Sequence, residues 1–268
     1  LIENNERNFL KGMIVKKLVL LIAILALTAA PVMANATFSD GGAQLQGILN
    51  SHTAPYPGVS SVNVLTDNIA NDSYWKIQAS GGSVTTLVLS VAAAATAGDT
   101  FGVYDMANPT HRVQLFSSTA TIGTQDTLSI LADGSVRVNG VDSGIDFAGN
   151  AFGYYVNSAG GLWSSDTALN SDGMDHMYAY QGKGDTFQVS PYAPGKWSSQ
   201  EFILAFEDSS GQTPALSRAL AMTASVGNYS DMVVMVESVG PVVPAPGAIL
   251  LAGIGTSLVG WMRRRRAF

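Results

Sequence analysis

The sequence predicts an all-β body, an antiparallel, jelly-roll-like β-sandwich, set between an N-terminal signal peptide and a single C-terminal transmembrane helix. Three observations predict the sandwich. Short apolar or alternating runs recur between residues 37 and 239, separated by Gly, Asn, Asp and Pro. Two of the separators, Asp133-Gly134 and Asn139-Gly140, supply the positive φ values that tight hairpins need. No long amphipathic helix interrupts the strands, 215–224 being the one candidate.

The elements follow in order. Asp40 can cap a short helix whose Leu45, Ile48 and Leu49 share one face, and Asn50-Ser51 closes it. A loop with Pro55 and Pro57 comes next. Strands are expected over 59–65, where Val62 and Val64 alternate, and over 74–79, with Trp75, Ile77 and Ala79 on one side. Residues 85–95 are β-branched and apolar and read as a buried strand ending in small residues, with an Ala-rich helix competing for 91–97. Strands at 101–105 and 113–116 flank the turn at Asn108-Pro109. Segments 127–132, 135–138 and a strand opening at Val141 form a meander through the two hairpin pairs. Strands at 152–156, 177–181, 186–189, 201–206 and 232–239 complete the set. No internal repeat is present.

The two ends read as addresses. Met13 is followed by Lys16 and Lys17, an apolar run over 18–27, and Ala34-Asn35-Ala36. A positive n-region, a short h-region and an A-x-A site make a secretory signal peptide over 13–36, cleaved after Ala36. A first transmembrane helix is the competing reading; the strongly apolar core spans only about 10 residues and ends before Pro31. Residues 1–12 are polar and are expected to be an over-extended start. At the other end, a linker over 240–246 carries Pro244-Ala245-Pro246, which continues neither strand nor helix. Residues 247–262 hold no formal charge and would span about 24 Å as a helix. Arg263, Arg264, Arg265 and Arg266 head a cytoplasmic tail over 263–268. Four arginines cannot follow a helix into a core without a large desolvation cost, which argues against a buried core helix.

Without its ends the chain is strongly acidic. Residues 37–245 carry 18 Asp or Glu against six Lys or Arg. That balance argues against nucleic acid or anionic lipid as a partner, and suits divalent cations. There is no cysteine, which removes thiol catalysis, thiolate metal sites and disulfide staples. A body of this length buries an ordinary core without staples.

Pro-Ala-Pro, the short apolar span and the terminal Arg cluster together resemble the PEP-CTERM sorting signal of Gram-negative bacteria, with Ala245 where Glu is commonest. The resemblance covers the tail only. It implies an exosortase-type processing enzyme as partner, transient passage through the inner membrane, and a cell-surface or extracellular destination in an exopolysaccharide setting.

Chemistry is sparse. His52 sits in a Pro-rich loop, His111 precedes a strand, and His176 lies in SDGMDHM. No G-x-S-x-G elbow, H-E-x-x-H helix motif or P-loop is present. The carboxylates carry more. Asp172 and Asp175 form one group, Glu207 and Asp208 close the run FILAF, and Asp231 opens the run MVVMV. If these two runs pair antiparallel, Asp208 and Asp231 meet at one edge of the sheet. Oxygen ligands gathered at a loop edge are what Ca2+ takes. An EF-hand is excluded, because placing Gly173 at loop position six puts Ala168 and Ala179 at the first and last ligand positions. The plainer reading is that these acids cap turns.

FILAFEDSSG followed by NYSDMVVMVE also looks like the end of a domain of unknown function common in PEP-CTERM proteins. FGVYD, HRVQLF, DGSVRVNG and SDGMDHMYAYQG share that likeness. It implies acidic positions at Glu207, Asp208 and Asp231, while Asn228 and Ser230 stand where Asp and Asn are usual. The aromatics Trp75, Trp163, Trp197, Tyr154, Tyr155, Tyr178, Tyr180 and Tyr192 are either packing or a sugar-binding face. The reading is an exported, non-enzymatic surface or matrix protein with Ca2+ at Glu207, Asp208, Asp231, Asp172 and Asp175. The alternatives are a glycan-binding module and a carbohydrate-active hydrolase with paired carboxylates.

Overall fold

The computed structural model describes residues 38–56, 58–79, 83–91, 99–209 and 227–242. The signal peptide with its Ala34 and Ala36, residues 92–97 of the Ala-rich helix considered over 91–97, the helix over 215–224 and the tail from Pro244 lie outside the described residues. Among the described residues one α-helix, α1 (Ala43–His52), precedes fifteen strands. The first seven are β1 (Trp75–Ile77), β2 (Ser83–Val91), β3 (Thr100–Asp105), β4 (Arg112–Ser117), β5 (Gln125–Ile130), β6 (Ser135–Val138) and β7 (Val141–Asp146). Next come β8 (Ala151–Ser158), β9 (Gly161–Ser164), β10 (Met177–Gln181) and the short pair β11 (Thr186–Phe187) and β12 (Gly195–Lys196). The last are β13 (Glu201–Phe206), β14 (Met232–Glu237) and β15 (Val239–Pro241).

Two antiparallel sheets pack face to face. The first runs β15-β1-β8-β3-β4, and β8 is long enough to take β1 along its first half and β9 along its second. The second runs β10-β13-β14-β2-β5-β6-β7. Aromatic rings join them across the core: Trp75 meets Phe202 edge-on at 5.0 Å, and Phe101 meets Phe206 at 5.8 Å. Such edge-to-face pairs add to the burial of two large rings. Inward positions alternate as the pleat requires, with Phe202, Leu204 and Phe206 of β13 beside Met232, Val234 and Val236 of β14.

The continuous apolar run of β13 has a second cause. Its other face, Ile203 and Ala205, is also covered. Leu45 and Leu49 of α1, together with Val62, Val64 and Trp197, close over the outside of β10, β13 and β14. A strand buried on both faces gains nothing from polar residues, so the sequence does not alternate there.

Several expected boundaries change. Asp40 takes the amides of Gly42 and Gln44 at 2.8 and 2.9 Å, so the helix starts only at Ala43. Residues 59–65 form no strand. Val62 and Val64 are buried, but the Gln46 side chain occupies their backbone groups, donating to the Val62 carbonyl and accepting from the Val64 amide. The strand expected over 232–239 breaks at Ser238, where φ is 63°, and the chain crosses to the first sheet as β15 against β1. The strand at 186–189 shortens to two residues, and β9 and β12 were not anticipated. The meander appears as β5-β6-β7. Among the described residues no helix is long and apolar enough to cross a membrane.

Candidate metal centre

The pairing of β13 with β14 places Phe206 opposite Met232. The next residues outward are therefore neighbours at the end of the sheet: Glu207 and Asp208 leave β13, and Asp231 enters β14. Ligand oxygens of these three acids lie within 4.8 Å of one another. Asp231 Oδ2 accepts the Asp208 amide at 3.0 Å, which locks two of them together.

Glu207 is the anchored member. It is 5 % exposed, and its Oε2 accepts the amides of Asn228 and Tyr229 at 2.9 and 3.2 Å, while Oε1 accepts the Ser209 hydroxyl. The turn that carries these amides needs Gly227, since a Cβ there would stand 1.8 Å from Oε2. Behind Glu207 lies His176, fully buried. One ring nitrogen meets the Glu207 carbonyl at 3.0 Å and the other meets Asp172 Oδ2 at 3.0 Å. Its ring stacks on Trp163 at 3.9 Å, and the Trp163 indole N–H donates to the Asp208 carbonyl at 2.7 Å. Both acids leaving β13 thus have their backbone fixed by side chains from β9 and the approach to β10.

Three like charges this close disfavour ionisation. Burial, then the hydrogen bond and charge of Glu207 and the charge of Asp208, push Asp231 up to about 8. At neutral pH Asp231 keeps a proton that an incoming cation must displace. Asp208 and Asp231 open onto a small cleft of about 40 Å³ between the two sheets. Asp99, Thr100, Ser117 and Ser118 form its far wall. These four carry oxygens, the donor type that hard cations prefer, while Val91, Phe101, Val156 and Met232 make the rest of the lining apolar.

The other expected ligands go elsewhere. Asp172 holds His176 and the Met174 amide, and Asp175 Oδ1 caps the Met177 amide at 3.1 Å. Neither joins the three-carboxylate cluster. His52 stacks on Phe187, and His111 meets the Asp146 carbonyl. Of the proposed aromatic face, only Tyr192 is exposed; the other seven are buried, Trp75 and Tyr154 between the sheets, Tyr178, Tyr180 and Trp197 in the layer beneath α1, and Tyr155 and Trp163 on β8 and β9. Sequence reasoning missed the far wall of the cleft. Asp99, Ser117 and Ser118 come from the opposite sheet, and only the sheet packing brings them near Asp231. Comparison with protein-family models, curated proteins and solved structures finds no match to this chain.

Proposed function

We propose that this chain is an exported, non-enzymatic surface or matrix protein whose jelly-roll-like sandwich is stabilised by Ca2+ at Glu207, Asp208 and Asp231. The observation that carries the calcium reading is the convergence of three carboxylates within 4.8 Å at one end of the sheet. Two of them face a cleft with more oxygen groups on its far side. A cation there would tie the last residues of β13 to the first of β14 and offset the mutual repulsion of the three acids. Export, sorting by an exosortase-type enzyme and contact with exopolysaccharide rest on the two ends of the sequence and its acidic body. Melting curves test the calcium reading. Millimolar Ca2+ raises the melting temperature of metal-free protein and a chelator reverses it; no change in either direction refutes it.

One observation favours a second reading, a carbohydrate-active hydrolase. Asp231, whose pKa is pushed up to about 8, and its neighbour Asp208 share a cleft, a paired-carboxylate arrangement of the kind such hydrolases use. Turnover of a glycan that Asp231→Asn abolishes with melting unchanged would select it. The glycan-binding alternative keeps only Tyr192 of its aromatic set as an exposed ring.

A further inference from the structure

The segment 68–72 runs along the outer edge of β10. Asn68 bridges to Tyr180, the Ile69 amide donates to the Ala179 carbonyl at 3.0 Å, and the Asp72 carboxylate accepts the Ala179 amide. In an antiparallel strand a residue's N–H and C=O face the same side. Met177, two residues earlier, therefore presents its amide on that same edge, and Asp175 takes it. Two carboxylates thus sit side by side on successive edge amides.

This oxygen set is incomplete. Asp72 is 6 % exposed and Asn68 is 3 % exposed, yet Asp72 Oδ2 and Asn68 Oδ1 have no hydrogen-bond partner. The nearby donors are committed. The Trp75 indole N–H donates to the Asp72 carbonyl, the Tyr180 hydroxyl to the Val64 carbonyl, and the Tyr229 hydroxyl to the Asp175 carbonyl. Two further side chains of this region are engaged as well, His176 with Asp172 and Lys183 with Asp67. Buried acceptors without donors, beside a second carboxylate, carry a large desolvation cost unless something positive completes them.

We propose that Asn68 Oδ1, Asp72 Oδ2 and the Asp175 carboxylate form a second cation site, taking a hard divalent ion of the Ca2+ class. One such ion would supply the missing partner of Asp72 Oδ2 and neutralise the interacting pair Asp72 and Asp175, with Asn68 Oδ1, the other orphaned acceptor of the same edge segment, as its further ligand. A proton is the competing occupant. Burial, then the charge of Asp175, raises Asp72 well above the usual carboxylate range, and burial pushes Asp175 up to about 6. A single proton would leave one charge of the pair buried.

The test is stoichiometry. The full chain is unfolded with a chelator, refolded with Ca2+ and dialysed to equilibrium. The expectation is two ions per chain for the native sequence, one for Asp72→Asn and one for Asp231→Asn. Folded Asp72→Asn that still holds two ions overturns the proposal. If Asp72→Asn does not fold, Asn68→Ala is read instead. About tenfold weaker binding at one of two sites is expected, and an unchanged isotherm overturns the proposal. A single ion that Asp231→Asn loses and Asp72→Asn keeps overturns this site and leaves the end site standing. A single ion with the reverse pattern supports this site and refutes the end site. No bound ion refutes both.

Discussion

Asp231→Asn removes the titrating group at the centre of the carboxylate cluster and keeps its shape. The native Oδ2 accepts the Asp208 amide at 3.0 Å, a bond that an Asn carbonyl oxygen can also make. Asp231 is raised from 3.8 to about 8 by burial first and by Glu207 and Asp208 after it. Because the folded value lies above the unfolded one, the stability this proton contributes is complete below about pH 4 and is lost as the pH rises through about 8. The whole shift corresponds to about 6 kcal/mol at 1.36 kcal/mol per unit. Asp231 is only half-buried, and solvent screening cuts that to about 1–2 kcal/mol. For a domain of this size the difference amounts to about 2–8 °C in melting temperature. Urea and thermal unfolding at pH 5, 7 and 8.5, in chelator and in millimolar Ca2+, read it directly. Metal-free Asp231→Asn should be the more stable protein at pH 8.5, with a flatter pH profile than the native chain. It should also gain less from Ca2+. An Asn variant less stable than the native chain at pH 8.5 in chelator, with an equal gain from Ca2+, would refute the reasoning.

The other predictions concern what holds the site and the layers. Gly227→Ala puts a Cβ 1.8 Å from Glu207 Oε2 and should cost about 2–4 kcal/mol in chemical denaturation, with loss of calcium response. Phe202→Ala removes the ring that meets Trp75 across the core and should cost about 3–5 kcal/mol by the same assay. Leu49→Ala, which empties a fully buried position of α1, should cost about 2–5 kcal/mol. It should also raise hydrogen exchange in α1 while the inner core around Phe206 stays protected.

The strands were legible where one residue run encodes both pairing and burial. The meander announced itself through Asp133-Gly134 and Asn139-Gly140, and the runs FILAF and MVVMV through apolar continuity. The segment 59–65 was misread because its partner is a side chain, Gln46, and a period-two pattern does not distinguish burial from pairing. The break at Ser238 was hidden because Val239 is as apolar as the strand before it. The end site was half legible. Glu207, Asp208 and Asp231 follow from one antiparallel pairing, but Asp172 and Asp175 serve amides and a ring within four residues of themselves. Asp72 and Asn68 carried no signal, since their meaning depends on the edge of a strand more than a hundred residues away.

The central claim is that Glu207, Asp208 and Asp231 hold a cation in exchange for the proton on Asp231. Titrating metal-free full chain with Ca2+ in a calorimeter at pH 7, in two buffers of different ionisation enthalpy, measures binding and proton release together. Native protein should bind with close to one proton released at this site, and Asp231→Asn should lose both that binding event and its proton. Heat that does not depend on the buffer, or an isotherm that Asp231→Asn leaves unchanged, would contradict it.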